Sequence, residues 1–199
     1  MADTAVEVAN QALALIGANT ISTFVGTGTE QIAATHLYQP TVDAALTSHR
    51  WRFASGKKQL SILVATPADD WDSAFQIPTD PPVLLINSIS VLDHTIEYDR
   101  FEDHIYCDAT SDDTVIMDYI YSRDEIDWPA YFTKAIVFEL AAVFAAAITQ
   151  DSFLAAHFTE QANMEYSKAR FADSSSQTAR NLNTRGTHSL ISRRFGGSR

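Results

Sequence analysis

The sequence predicts an α+β fold, and three features carry that reading. Helical apolar spacing occupies both ends of residues 1–171. Residues 57–125, between them, are β-branched and aromatic runs separated by turn residues. Residues 172–199 show neither pattern. The architecture expected is an antiparallel helical bundle with an inserted small antiparallel β-sheet and an extended C-terminal arm.

The first helix is expected over residues 4–17. Thr4 and Glu7 have capping-box spacing, Gly17 stands where a helix-ending glycine belongs, and Val8, Leu13, Leu15 and Ile16 supply an apolar face. A polar loop leads to a second helix over 30–50, packed through Ala33, Leu37, Ala44, Ala45 and Leu46. Pro40 in its middle predicts a kink or two short helices.

Strand character then runs through Q-L-S-I-L-V, V-L-L-I-N-S-I-S-V, T-I-E-Y, H-I-Y-C and T-V-I-M-D-Y-I-Y, with Val115, Met117, Tyr119 and Tyr121 on one face. These are expected to form one sheet of short antiparallel strands. Trp71 and Trp128 are expected to face the core at its edges.

Helical pattern returns after D-W-P. Asp127 is a candidate cap and Pro129 a candidate first helical residue. Helices are expected over 130–149 and 152–171, the second capped by Asp151 and packed through Phe153, Leu154, Phe158 and Ala162. His157 is expected in a core or an interface.

Charge narrows the function. The 199-residue chain carries −11, yet residues 172–199 hold five arginines against Asp173 alone, a net of +4. The remainder, at −15, lacks the basic footprint of a general nucleic-acid binder. One cysteine, Cys107, excludes an intrachain disulfide and fits a reducing compartment. Asp3 and Glu7 argue against a signal peptide. The apolar run A-I-V-F-E-L-A-A-V-F-A-A-A-I contains Glu139 and is shorter than the roughly 20 residues a membrane helix needs, so no membrane partner is expected.

Catalytic motifs are sparse. G-T-G-T at 26–29 lacks the third glycine of a dinucleotide fingerprint and follows no strand. Ser55 and Lys58 match S-x-x-K without its companion motifs. The six histidines show no zinc spacing. Asp108, Asp112 and Asp113 crowd one turn, but without the glycine and distal glutamate of a calcium loop they read as a solvated acidic turn, as do Asp69, Asp70 and Asp72. An enzyme domain binding a small molecule or divalent metal through the loops around Asp108–Asp113 is the rival function. More informative is His49-Arg50-Trp51-Arg52-Phe53. It reads either as a core tryptophan overlaid by arginines or as an interface anchor, since Trp and Arg are enriched at binding hot spots.

Several segments then fall into one order. A-L-A-L-I-G is followed by L-T-S-H-R-W-R-F-A, W-D-S-A-F-Q-I-P-T-D, D-D-T-V-I-M-D-Y-I-Y, W-P-A-Y-F-T-K-A-I-V-F-E-L-A-A and I-T-Q-D. The set resembles the tail tubular protein A family, the head-to-tail adaptors of short-tailed bacteriophages, over essentially the whole chain. No single motif is catalytic; the strength is in the collinearity, with L-x-S-H-x-W-x-F-A the most specific piece.

The resemblance implies a structural virion protein and not an enzyme, without a cofactor. It implies a homo-oligomeric twelve-fold ring that joins the portal protein to the tail nozzle and helps seat tail fibres. Genomic DNA would pass through the ring's channel without specific binding. The chain would be made in the host cytoplasm and reside at the head–tail interface of the virion. The arm is then a docking element. Arg180, Arg185, Arg193 and Arg194 would pair with acids on the portal or the next subunit, and Leu190, Ile191 and Phe195 would serve as apolar pegs. The alternative is a solvated terminus. The nozzle- or fibre-facing loops would include Asp69, Asp70, Asp80, Asp108, Asp112 and Asp113.

Overall fold

The computed structural model describes residues 4–63 and 71–176. It is α+β, with four α-helices and two four-stranded antiparallel sheets. The arm residues Arg180, Arg185, Leu190, Ile191, Arg193, Arg194 and Phe195, and loop residues Asp69 and Asp70, lie outside the described residues.

Helix α1 spans Ala5–Leu15. The Thr4 hydroxyl accepts from the Glu7 N–H at 3.3 Å, and the Glu7 carboxylate accepts from the Thr4 N–H at 2.7 Å, closing the capping box. At the other end, the Gly17 N–H donates to the Ala14 carbonyl and the Ala18 N–H to the Leu13 carbonyl. Gly17 takes φ 73°, the left-handed conformation that ends helices this way.

Helix α2, Thr29–Thr47, runs unbroken through Pro40, so two short helices do not form. Pro40 and His36 both lie on the exposed side, where water can satisfy the His36 carbonyl that loses its helical donor. The buried face is Ala34, Tyr38, Val42, Ala45 and Leu46; Ala44, expected inside, is exposed.

The single sheet expected is two. One has the order β1-β8-β4-β5, from Ser55–Gln59, Val115–Tyr121, Val83–Val91 and His94–Ile96. The other has the order β2-β3-β7-β6, from Ser61–Ile62, Ser73–Gln76, His104–Cys107 and Asp99–Phe101. Both contribute to one apolar core: Phe75, Ile105 and Cys107 from the second sheet meet Ile89, Val115, Met117 and Tyr119 from the first. Burial pushes the Cys107 thiol up to about 11. In β1, Gly56 lies so close to Tyr119 that a β-carbon there would meet its ring at 3.1 Å.

A 3₁₀ turn, Glu125–Asp127, leads to helix α3, Ala130–Phe144. Pro129, extended at ψ 143°, is the residue before the helix; Asp127 does not cap it and instead pairs with Arg123 at 3.2 Å. A π-helical turn, Ala145–Thr149, continues α3 to a total of 20 residues with a mean hydropathy of 1.8 over 18 of them. That corrects the length argument above, because Ala130–Thr149 is long and apolar enough to cross a membrane. In this fold α3 touches α1, α2 and α4, and its side chains Phe132, Ile136, Leu140 and Phe144 are fully buried among them.

Helix α4, Ser152–Ser175, begins at Asp151, whose carboxylate accepts from the Phe153 and Leu154 N–H groups at 2.9 and 3.0 Å. It runs four residues beyond the expected end at 171. Phe158 and Ala162 pack as expected, but Phe153 is 88% exposed and His157 is exposed, both pointing away from α3.

Strand β8 faces two cores. Val115, Met117 and Tyr119 enter the sheet core, while Ile120 enters the helical core with Trp51 and Phe132. The period of two along a strand does this directly.

Candidate interaction surface

Between α2 and β1 the chain turns a corner at Ser48–Ala54. Trp51 is fully buried there, its indole N–H donating to the Ala45 carbonyl at 2.9 Å. Its ring meets Phe132 at 5.1 Å and His49 at 4.9 Å, both edge-on. Of the two readings of His49-Arg50-Trp51-Arg52, the core reading therefore holds for Trp51. A side chain with no exposed surface cannot anchor a partner. His49 is half-buried beside it.

The two arginines leave the corner in opposite duties. Arg50 is ion-paired with Asp118 on β8, which also faces the Lys57 ammonium at 3.9 Å and accepts from the Asn87 amide at 3.1 Å. Asp118 is buried; Arg50 and Lys57 are largely exposed. Arg52 turns to Asp173 in the last turn of α4. Its backbone N–H donates to that carboxylate at 3.2 Å, its guanidinium stands 3.9 Å away, and the Tyr131 hydroxyl donates at 2.8 Å. Asp173 is 1% exposed. Burial, then this hydrogen bond to a carboxylate, raises the Tyr131 hydroxyl well above the usual tyrosine range. Among the described residues, Nη1 of Arg52 is a buried nitrogen without a hydrogen-bond partner.

These groups wall a cleft of about 1220 Å³ between the corner, the outer face of the first sheet and the end of α4. Ser88, Ser90, Thr95 and Ser174 add hydroxyls to its lining. Four of the nine Lys and Arg among the described residues, Arg50, Arg52, Lys57 and Lys58, fall within residues 50–58. No acid occurs between Asp43 and Asp69. The corner is thus a basic island on an acidic protein, yet Asp93, Asp118 and Asp173 offset most of its charge within the cleft. A polar, charge-balanced cleft of this size suits a polypeptide surface better than a free polyanion such as nucleic acid.

The acidic loops do not converge. Asp113 accepts from the Thr110 N–H at 2.9 Å and its hydroxyl at 2.8 Å, bonds that hold its carboxyl below the usual range. Asp108 accepts from the Asp72 N–H at 3.4 Å, Asp112 is exposed, and the Asp80 carbonyl accepts from Lys58 at 3.5 Å. No three His, Cys, Asp or Glu side chains among the described residues lie close enough to hold a metal ion. The metal-binding rival therefore gains no support from the geometry around Asp108–Asp113.

Sequence reasoning missed Asp118 and Asp173. Both stand among apolar or small residues, in I-M-D-Y-I and R-F-A-D-S, where a lone acid signals a buried partner. A scan against protein-family models matches none of them, and a search of the curated proteins finds no match.

Proposed function

We propose that this chain is a structural head-to-tail adaptor of a short-tailed phage virion. It would act by assembly between portal and nozzle, around a channel through which the genome passes. The four helices then serve as an antiparallel bundle in the ring, the two sheets as the insertion between α2 and α3, and the basic C-terminal segment as the docking arm. Ring copies would bind through many individually modest contacts acting together.

The observation that carries this reading is where α4 ends. Its last turn is held by Asp173 to the L-T-S-H-R-W-R-F-A corner, the most specific segment of the family resemblance. The basic segment that follows Ser176 therefore starts from a fixed point on the cleft wall. An arm anchored at its root loses less freedom on docking than one that swings from a loose helix end. The exposed acids of the sheet region, among them Asp99, Glu102 and Asp103, also suit a surface beside DNA that must slide and not bind.

The test is recovery of partners from infected-cell lysate, with the full chain and a chain ending at Ser176 as baits. Ending the chain at Phe171 would remove Asp173 and damage the fold, so the cut belongs after Ser176. Recovery of a portal-sized ring protein by the full chain but not by the shortened one supports an adaptor with a docking arm. Recovery by both retains the adaptor and discards the arm. Recovery of no virion protein by either rejects the reading.

A further inference from the structure

Helix α4 stops on the wall of the corner cleft. Ser174 and Ser176 line that wall beside Asp173 and Arg52. The last turn of α4 satisfies itself: the hydroxyls of Ser174, Ser175 and Ser176 donate to the carbonyls of Phe171, Ala172 and Asp173 at 2.9, 2.8 and 2.7 Å. The chain that continues from Ser176 therefore sets out from a completed helix end, and it does so at the cleft.

The floor of the cleft is the outer face of the first sheet, with Lys57 on β1, Asp118 on β8, Ser88 and Ser90 on β4 and Thr95 on β5. The far end is Asp93, in the turn between β4 and β5. The hydrogen bonds of Asp173 to Arg52 hold the end of α4 at the opposite, corner end, next to Ser55. By strand register, Asp93 lies between two and three strands across and about six residues along from Ser55, a diagonal of about 23 Å.

Charge, composition and tethering choose the occupant. Asp118 faces Arg50 and Lys57, and Asp173 faces Arg52, so these charges are already matched. Asp93 is exposed at the cleft and has no ion-pair partner among the described residues. Residues 177–185, Q-T-A-R-N-L-N-T-R, hold two arginines, no acid and two apolar side chains, which suits a floor of hydroxyls. At about 3.3 Å per extended residue, Arg180 comes about 13 Å and Arg185 about 30 Å beyond Ser176, either side of the distance to Asp93. A segment bonded directly to the cleft wall also has an effective concentration there that a free chain matches only at millimolar levels or above.

We infer that residues 177–185 lie across the cleft of their own copy, from the end of α4 to Asp93, where an arginine pairs with that carboxylate. The strap places the start of the docking arm at the β4–β5 turn, where Leu92 is 77% exposed, and leaves residues 186–199 to meet a partner. It rests on the cleft's fit to polypeptide and deepens the reading of the basic segment as an arm.

The experiment replaces Thr95 with the photoreactive p-benzoyl-L-phenylalanine in the full chain. Light and heavy isotope-labelled copies are mixed at micromolar concentration, irradiated and mapped by mass spectrometry. The expected product joins position 95 to residues 177–185 within one copy, so light–light and heavy–heavy pairs dominate. Asp93→Asn keeps the left-handed turn at φ 66°, which asparagine tolerates, and removes the charge. It should lower the yield about fivefold, the upper worth of one exposed ion pair, as should Arg180→Gln combined with Arg185→Gln. Products dominated by heavy–light pairs place another copy in the cleft and overturn the strap. So does the absence of any product with residues 177–185, or a yield that neither charge removal lowers. Portal recovery in the lysate experiment reads the adaptor function independently, so either idea can fail while the other stands.

Discussion

The carboxylate of Asp173, in the last turn of α4, accepts the backbone N–H of Arg52 across 121 residues of sequence. With Tyr131 donating to the same carboxylate, one buried side chain ties α4, α3 and the α2–β1 corner together. Removing it leaves a backbone N–H and a tyrosine hydroxyl without acceptors. Asp173→Ala should cost about 2–4 kcal/mol, as expected for orphaned buried donors and a broken ion pair. Urea unfolding of the two chains measures it, and a loss below about 1 kcal/mol would show that the tie is not structural.

Asp118 is arranged differently. It is buried, while its partners Arg50 and Lys57 are exposed and either can remain when the other is removed. Arg50→Ala and Lys57→Ala should each cost under about 1 kcal/mol. The double substitution leaves Asp118 with Asn87 alone and should cost more than the sum, by about 1–2 kcal/mol. A double-mutant cycle in urea decides this, and strict additivity would count against a shared role.

Trp51 fills the centre of the helical core and satisfies the Ala45 carbonyl. Trp51→Ala should cost about 3–5 kcal/mol. Trp51→Phe keeps most of the ring contacts and loses the hydrogen bond, so it should cost less. Calorimetry on both variants orders them; equal losses would mean that the ring contacts a phenyl group retains contribute nothing.

Glu139 on α3 accepts the Tyr166 hydroxyl from α4. Burial raises its carboxyl above the usual value of 4.5, and the Tyr166 bond only partly opposes this. A carboxyl raised in the folded state favours folding below its unfolded pKa, and that contribution is lost as pH rises through the folded value. Glu139→Gln keeps an acceptor for Tyr166 without the charge. It should therefore raise the melting temperature by a few degrees at pH 7 and confer a smaller gain below pH 4.5. An advantage that grew on acidification would reverse the assignment.

Helices were legible in the sequence where local signals agree with burial. The Thr4–Glu7 box, Gly17 and Asp151 act as read, because capping is settled within a few residues. Pro40 misled because its cost depends on which side faces solvent, and that is a tertiary fact. Strands β1, β3 and β6 were missed because S-G-K-K-Q, S-A-F-Q and D-R-F carry little β-branched content and are held by their neighbours. At the corner, the sequence left Trp51 open between core and interface, since both environments favour a tryptophan beside arginines. Asp118 and Asp173, which organise the cleft, gain their meaning only from residues 68 and 121 positions away.

Strand β8 presents Val115, Met117 and Tyr119 to the sheets and Ile120 to the helices. The wall between the two cores is therefore chiefly this one strand, with Leu84 of β4 beside it on the helical side. Pulling β8 out would expose both at once, and neither can reform around water while the other stays intact. Amide exchange in the centre of β8 and in α3 should accordingly slow to a common rate, that of opening the whole domain. Load applied to the sheets would reach the helices along this strand.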